Sequence, residues 1–530
     1  MKKIMVLVVV IAVFAGIMVS CDNGAKIEYR DVIIEPEFAG FSMEALTAKV
    51  DELYEGEVGW EGRLHKMQAF IMEIAIHAKT INPNFKIIPQ DGIDLAFIDG
   101  DYLNGTLPEL MALVDGWGIE GVVGSGVYSG TPSEDQDKYR LLSLGAGKFV
   151  TDTTTCGTEV ALLDNYYPKA ELLSIIPYPR IGGGFSRTGV YSPLAEEMFP
   201  GKRWATNSDY FWIEDPATIG ISGRINNKNI NKLKDAQNYL YHINGRPYDA
   251  WDTWDDEEEA ALDGGTADRT RIFTGYAAGL LVPSEGGPYE PTFVPTSNAA
   301  FNTGSQAKLD EILDEYGTEW DWWWRDAGYT ADQGRQVWLD TLRNSNYDVI
   351  YIDSFYNHRA RPENQTPLTK AEVESLKTKK NGGRRQVIAY LSIGSAEQNR
   401  WYCQDDWIIQ LDPSENSSWA MKNGYYDEDE DEYFPPEEGC PPWLAISYGG
   451  QYDEESIVAW WHPEWRDIIV RGNSIYHHKT TGDNTSSIDR ILDQGFDGVY
   501  LDNVGVFEED DWEYFEDYWL EEGGFPGIEE

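Results

Sequence analysis

The stretch "GFDGVYLDNV", residues 495–504, decides how the rest of the chain is read. A glycine turn leads into Phe496, Val499, Tyr500 and Leu501, an aromatic and aliphatic run that predicts a short buried strand. The strand closes on two polar residues, Asp502 and Asn503. A buried strand ending in a carboxylate is how an α/β barrel presents an acid at its C-terminal face. Only Asn503 to Glu530 follow Asp502, too little chain for a second half-barrel, so the remaining strands are expected upstream.

They are legible there. "RLHKMQAFIMEIAIHAKTINPN" puts Leu64, Met67, Ile71, Ile74 and Ala78 on one face and predicts an amphipathic helix. It feeds a strand, "FKIIPQDG", that ends in Gln90 and Asp91. "LPELMALVDGW" reads as a helix and "IEGVVGSGVY" as the next strand; "KFVTDTTT" and "ELLSIIPYP" add two more before residue 180. Residues 181–228 are Gly-rich and aromatic without a period, a connecting segment. Within 229–249, "DAQNYLYHIN" predicts another strand. Residues 250–332 form an insertion with an acidic run and the cluster "EWDWWWRD", whose tryptophans suit either sugar stacking or packing within the insertion. From 333 to 520 the alternation returns, with "YDVIYIDSFY", "RQVIAYLSIGSAEQNRWY" and "GFDGVYLDNV" as strands and "LTKAEVESLKTKKNGG" and "SIDRILDQ" as helices. Strands alternating with helices predict an α/β fold, a (β/α)8 TIM barrel. The doubly wound alternative needs a phosphate loop after a strand, and "RIGGGF" has neither spacing.

The first residues, "MKKIMVLVVVIAVFAGIMVSC", carry a basic start, an apolar run and small residues before a cysteine. Residues 1–21 are therefore expected to be an export signal of the bacterial lipoprotein type, with lipid on Cys21, followed by a polar lead-in over 22–59. The expected location is the cell envelope, anchored to a membrane. The alternative is a plain secretory signal with an incidental cysteine. With 42 basic against 91 acidic residues the chain carries −49, which repels nucleic acid and suits a cationic ligand or simply a solvated surface. Cys403 and Cys440 flank an acidic, Pro-rich loop and are candidates for a disulfide in an oxidising compartment. No Cys/His cluster has zinc spacing, and neither metal nor cofactor is expected. The run "DEDEDE" at 427–432 lacks EF-hand spacing and reads as a solvated loop.

Four segments are similar, in order, to the second, third and fourth strand units of the endo-α-1,4-polygalactosaminidase family, glycoside hydrolase family 114, and its bacterial and archaeal relatives. They are "YDVIYIDSFYN", "NGGRRQVIAYLSIGSAEQNRWY", "WWHPEWRDII" and "ILDQGFDGVYLDNV". "NINKLKDAQNYLYHIN" resembles the family's opening strand. The units that should follow the fourth strand stand at the front instead: "FIMEIAIHAKTINPNFKIIPQDG", "VDGWGIEGVVGSG" and "FVTDTTTC". The resemblance thus implies a circularly permuted barrel, with strands five to eight in residues 60–180 and strands one to four in residues 230–505. A closed barrel tolerates this because its first and last strands are neighbours.

Glycosidic hydrolysis needs two carboxyl groups astride the scissile bond. The resemblance implies Asp502 as nucleophile and Glu120 as acid/base in a retaining mechanism, with the reverse assignment open. The bland readings are a helix cap for Asp502 and a surface turn for Glu120. Asp353 is expected either to bind a substrate hydroxyl or amine or to form a structural ion pair. Tyr390, Ser392, Glu397 and Arg400 occupy the loop where the family contacts sugar; Trp461, with Trp465, is a sugar platform or core. Gln90, Asp91 and Asp152 are expected to line the mouth. Three positions depart from the family: it often has Glu where Ser395 stands, Asp where His462 stands, and Glu near Ile93, beside Asp94 here. The expected function is a monomeric, surface-anchored hydrolase of a polysaccharide, a galactosamine polymer by the family's habit. The rival is a non-catalytic carbohydrate-binding lipoprotein on a degenerate barrel.

Overall fold

A computed structural model describes residues 40–55, 58–122, 133–155, 170, 173–180, 228–237, 239–242, 335–336, 339–340, 342–343, 347–356, 366–410, 419–427, 432–447 and 455–521. The export segment with Cys21, Cys156, the connecting segment up to residue 227 and the 250–332 insertion lie outside the described residues.

The strands are short and buried. They are β1 (Lys86–Pro89), β2 (Gly116–Glu120), β3 (Phe149–Thr155), β4 (Ile176–Arg180), β5 (Tyr239–His242), β6 (Val349–Ile352), β7 (Gln386–Ser392) and β8 (Gly498–Asp502). One parallel sheet of five strands runs β1-β8-β7-β6-β5, and a parallel sheet of three runs β2-β3-β4. The two are continuous at β1. Asp115 N donates to Ile87 O (2.9 Å), Asp91 N donates to Gly118 O (2.9 Å), and Gln90 bridges Gly118 in parallel. Strand β1, from the front of the chain, therefore sits between β8, from its end, and β2.

Helices pack between the strands, each begun by local chemistry. Helix α1 (Met43–Tyr54) is capped by the Ser42 hydroxyl, which accepts from Ala45 N at 3.2 Å. Helix α2 (Trp60–Ile81) buries the predicted stripe and several flanking residues, because α1 covers part of its outer side. Helix α3 (Pro108–Leu113) starts on proline, and α4 (Glu134–Arg140) on a Ser133–Gln136 capping box. Helix α5 (Lys370–Leu376) has the same device in Thr369 and Glu372, while α6 (Ser487–Gln494) ends on left-handed Gly495. A final helix, α7 (Trp512–Glu521), follows β8.

Two expectations change. The strand expected at "IEGVVGSGVY" lies further upstream and ends at Glu120, because Gly116 and Gly118 let neighbours press against the backbone there. That moves Glu120 from the start of a strand to its C-terminal end. The loop after β7 is also more structured than a polar loop: strands Ser395–Glu397, Leu444–Ser447 and Glu455–Val458 form an antiparallel sheet, with two hairpins beside it.

Alternate residues of β5, β6 and β8 bring tyrosine rings to one face of the five-stranded sheet. The rings of Tyr239, Tyr241, Tyr351 and Tyr500 meet there, Tyr351 and Tyr500 with centroids 4.5 Å apart and Tyr241 and Tyr500 at 5.8 Å. Tyr500 reaches over β1 to the backbone of β2, where a Cβ on Gly118 would lie 2.1 Å from its hydroxyl. Below this layer, a fully buried Lys379–Asp348 pair (2.9 Å) anchors the start of β6, and Asp348 also accepts from Gln237 N (2.7 Å) just before β5. Gly118→Ala is expected to destabilise the fold by about 1–3 kcal/mol through overpacking, read as a lower thermal unfolding midpoint. Gly145→Ala, with nothing within 4 Å of the new methyl, should change it little.

Candidate active site

Three carboxylates gather where the strands end. Asp502 is the last residue of β8, Glu120 the last of β2, and Asp91 follows β1 between them. Neighbouring strands lie about 4.8 Å apart, so Cα atoms two strands apart stand roughly 10 Å from each other. Asp91 holds a left-handed backbone (φ 58°), which a non-glycine residue adopts only when its surroundings insist. They do: Trp117 Nε1 donates to Asp91 O (2.7 Å), and Asp91 Oδ1 accepts from Glu120 N (2.9 Å). Glu120 in turn receives Tyr241 Oη–H from β5 at 3.1 Å.

Both oxygens of Asp502 are held. Tyr390 Oη donates to Oδ2 at 2.6 Å, and Asn503 N donates to Oδ1 at 2.8 Å. Burial nonetheless pushes the Asp502 carboxyl up to about 6; these two donors oppose it and the Glu397 charge adds to it. Burial also lifts Asp91, to about 7, against the Glu120 N–H, with Asp502 and Asp152 adding to the rise. The charge of Asp502 is thus felt at Asp91.

The remaining predicted residues divide. Tyr390 touches Asp502. Behind it lies an ion cluster with hardly any solvent contact. Arg400 bonds both oxygens of Asp353 (2.9 and 3.1 Å) and both of Glu397 (2.6 and 3.1 Å), 5.5 Å from the Tyr390 ring centre. Of the two expectations for Asp353, the ion pair is present, and Glu397 shares its partner Arg400. Ser392 is buried in a hydrogen-bond network with Ser395 and Asn503. Gln90 lies behind Asp91 and Tyr241, at the 3.5 Å limit from each. Asp152 is fully buried on β3, close enough to raise both Asp91 and Tyr139 of α4. Trp461 is no platform. It is 3% exposed, packed among Trp460, Trp512 and Phe515 with Lys66 over its ring, and Trp465 is buried as well. Cys403 and Cys440 are free thiols, each beside a backbone carbonyl, Gln404 O and Asp406 O, in place of a sulfur partner. Tyr241 and Glu455 are two further residues at the site that the sequence reading does not name. The alternation of "NYLYH" marks Tyr241 as inward-facing, whereas nothing local marks Glu455.

No protein-family model matches the chain. Three curated proteins are similar to part of it, each described only as an uncharacterized protein. The one from Methanocaldococcus jannaschii is 31% identical over 188 residues, 35% of this chain and 36% of its own length. That from Deinococcus radiodurans is 26% identical over 33% of this chain and 39% of its own, and that from Thermotoga maritima 27% over 26% and 25%. The chain thus spans well under half the length of each.

Among the described residues, Glu61, His65 and Asp99 bring possible metal-ligand atoms within 4.8 Å of one another, at the outer end of α2 and largely in solvent. No helix among the described residues is long and apolar enough to cross a membrane.

Asp502 titrates above its ordinary 3.8, so folding favours its neutral form; that stabilisation is whole below about pH 4 and is lost as the pH rises through about 6. Asp502→Asn, neutral throughout, is expected to raise the thermal unfolding midpoint by a few degrees, roughly, at pH 8 and hardly at all at pH 4. No gain at pH 8 would contradict a buried charge at this position.

Proposed function

We propose that the eight parallel strands close as a circularly permuted (β/α)8 barrel and that the protein is a glycoside hydrolase using Asp502 and Glu120. The observation that carries this reading is the meeting of distant strand ends around Asp91. Asp502 and Glu120 flank it, and Tyr241 of β5, at the far edge of its sheet, donates to Glu120 of β2. A side chain reaching from one outer strand to the other sheet is what closure demands. In spatial order the strands run β4-β3-β2-β1-β8-β7-β6-β5, the order a barrel has when its second half is moved to the front of the chain. Residues of β4 also approach β5 within 8 Å.

The chemistry follows from environment. Asp502, braced by Tyr390 and Asn503, is ionised above about pH 6 and is the nucleophile of the proposal. Glu120, held by Tyr241, donates the proton to the leaving oxygen and later takes one from water. Asp91, neutral or charged near pH 7, is suited to bind a hydroxyl or amine between them. A retaining path needs the two carboxyl groups about 5 Å apart and an inverting one about 6.5–9.5 Å, a range open to inward-leaning side chains two strands apart. The family resemblance points to an α-1,4-linked galactosamine polymer, and a partly deacetylated, cationic polymer suits three converging carboxylates. Anchorage outside the cytoplasm through lipid on Cys21 belongs to the same proposal.

The test is release of reducing ends from partly deacetylated α-1,4-galactosaminogalactan. Asp502→Asn and Glu120→Gln should each lower kcat by roughly 10³-fold. In the wild type, kcat/KM should fall as the pH drops below about 6, as Asp502 is protonated. Binding of the polymer without turnover, unaffected by either substitution, would favour a carbohydrate-binding protein instead.

A further inference from the structure

Beside Asp502 runs a chain of polar groups, two of them buried serines, that joins the Asn503 amide to the Glu455 carboxylate. Asn503, left-handed at φ 58°, gives its Nδ2 hydrogens to Ser395 Oγ (2.8 Å) and Ser392 Oγ (3.1 Å). An amide NH₂ only donates, so both hydroxyl oxygens accept. Ser392 can return its proton to the Ser395 carbonyl (3.2 Å). Ser395 has a single proton left to place, with Ser392 Oγ at 2.8 Å and Glu455 Oε2 at 3.0 Å in reach, and the carboxylate is the stronger acceptor. Ser392 and Ser395 are buried, where a hydroxyl proton without an acceptor is costly.

The end of this chain is the backbone of Asn503, which donates to Asp502 Oδ1. Its surroundings leave it little room: a Cβ on Gly394 would lie 1.9 Å from Asn503 O, and Ile393 N donates to Asp502 O. Glu455 arrives from the antiparallel strand Glu455–Val458, which pairs with Ser395–Glu397. Its charge is also felt at Tyr390, the donor to the other oxygen of Asp502.

Resting on the reading of Asp502 as the nucleophile, we infer that Glu455 is a positioning residue for it. Through Ser395 and Asn503, Glu455 holds one N–H donor on Asp502 Oδ1, so the nucleophile is aimed from a strand outside the parallel sheets. The groups that act on Asp502 are Tyr390 from β7, Glu397 and Arg400 from the loop after it, and Asn503, while the Asp502 charge is itself felt at Asp91 after β1.

Glu455→Ala and Glu455→Gln both remove the charge, but only glutamine can still accept from Ser395. Their difference isolates positioning. The readout is carbodiimide labelling of Asp502 against pH, followed by peptide mass spectrometry, which needs no substrate. Asp502 is expected to hold its proton at least about threefold more tightly in Glu455→Ala than in Glu455→Gln, because a donor to its charged form is loosened. With substrate, Glu455→Ala should lose on the order of tenfold in kcat relative to Glu455→Gln at similar KM. Ser395→Ala, which keeps the Glu455 charge, should tighten proton binding at Asp502 relative to wild type and covers the case in which Glu455→Ala fails to fold. Equal labelling in the two Glu455 variants, or a wild-type midpoint in Ser395→Ala, overturns the inference. Absence of hydrolysis in wild type, with the labelling difference intact, would instead count against the hydrolase reading alone.

Discussion

Everything at the candidate site depends on one strand having two neighbours. Strand β1 pairs with β8 through the register Pro89↔Leu501 and with β2 through Asp91 N–H and Asp115 N–H. These hydrogen bonds join residues near the start of the chain to residues near its end. Without them Glu120 and Asp502 would belong to separate sheets. With them, the two carboxylates flank Asp91 at the same ends of parallel strands. The aromatic layer beneath enforces that arrangement, since Tyr500 fills the space that a side chain on Gly118 would need.

The site carries an electrostatic cost of a kind expected where chemistry is done. Asp502 and Asp91 are both lifted by burial, and the Asp502 charge lifts Asp91 further. Two other acids nearby are treated differently: Asp353 and Glu397 are also buried, yet each is paired directly with Arg400. Asp502 is braced by a phenol and an amide N–H, surroundings that suit the nucleophile proposed for it.

Much of the fold was legible because its signals are local. Capping pairs such as Thr369 with Glu372, the stripe on α2 and the glycine stop after α6 announce helices, and β-branched runs announce strands. What was not legible depends on contacts made across the chain. Burial of Trp461 under α7 and the Arg400 cluster both require knowing which segments meet, and a tryptophan or arginine reads the same in a cleft or a core. The start of β2 was missed because glycines look like turns until a ring is seen to need the room. The three departures from the family pattern also have local accounts. Glu455 brings a carboxylate to Ser395 from the next strand, His462 Nδ1 caps the helix Pro463–Arg466 as an aspartate would, and Asp94 pairs with Lys138 at 2.7 Å.

The most direct test of the central claim is a crystal structure of the Glu120→Gln variant with a galactosamine oligosaccharide. The account predicts a sugar ring spanning the strand ends, with an Asp502 oxygen about 3 Å from the anomeric carbon and residue 120 beside the glycosidic oxygen. A saccharide bound elsewhere, with the space between Asp502 and residue 120 too narrow to admit a ring, would contradict it.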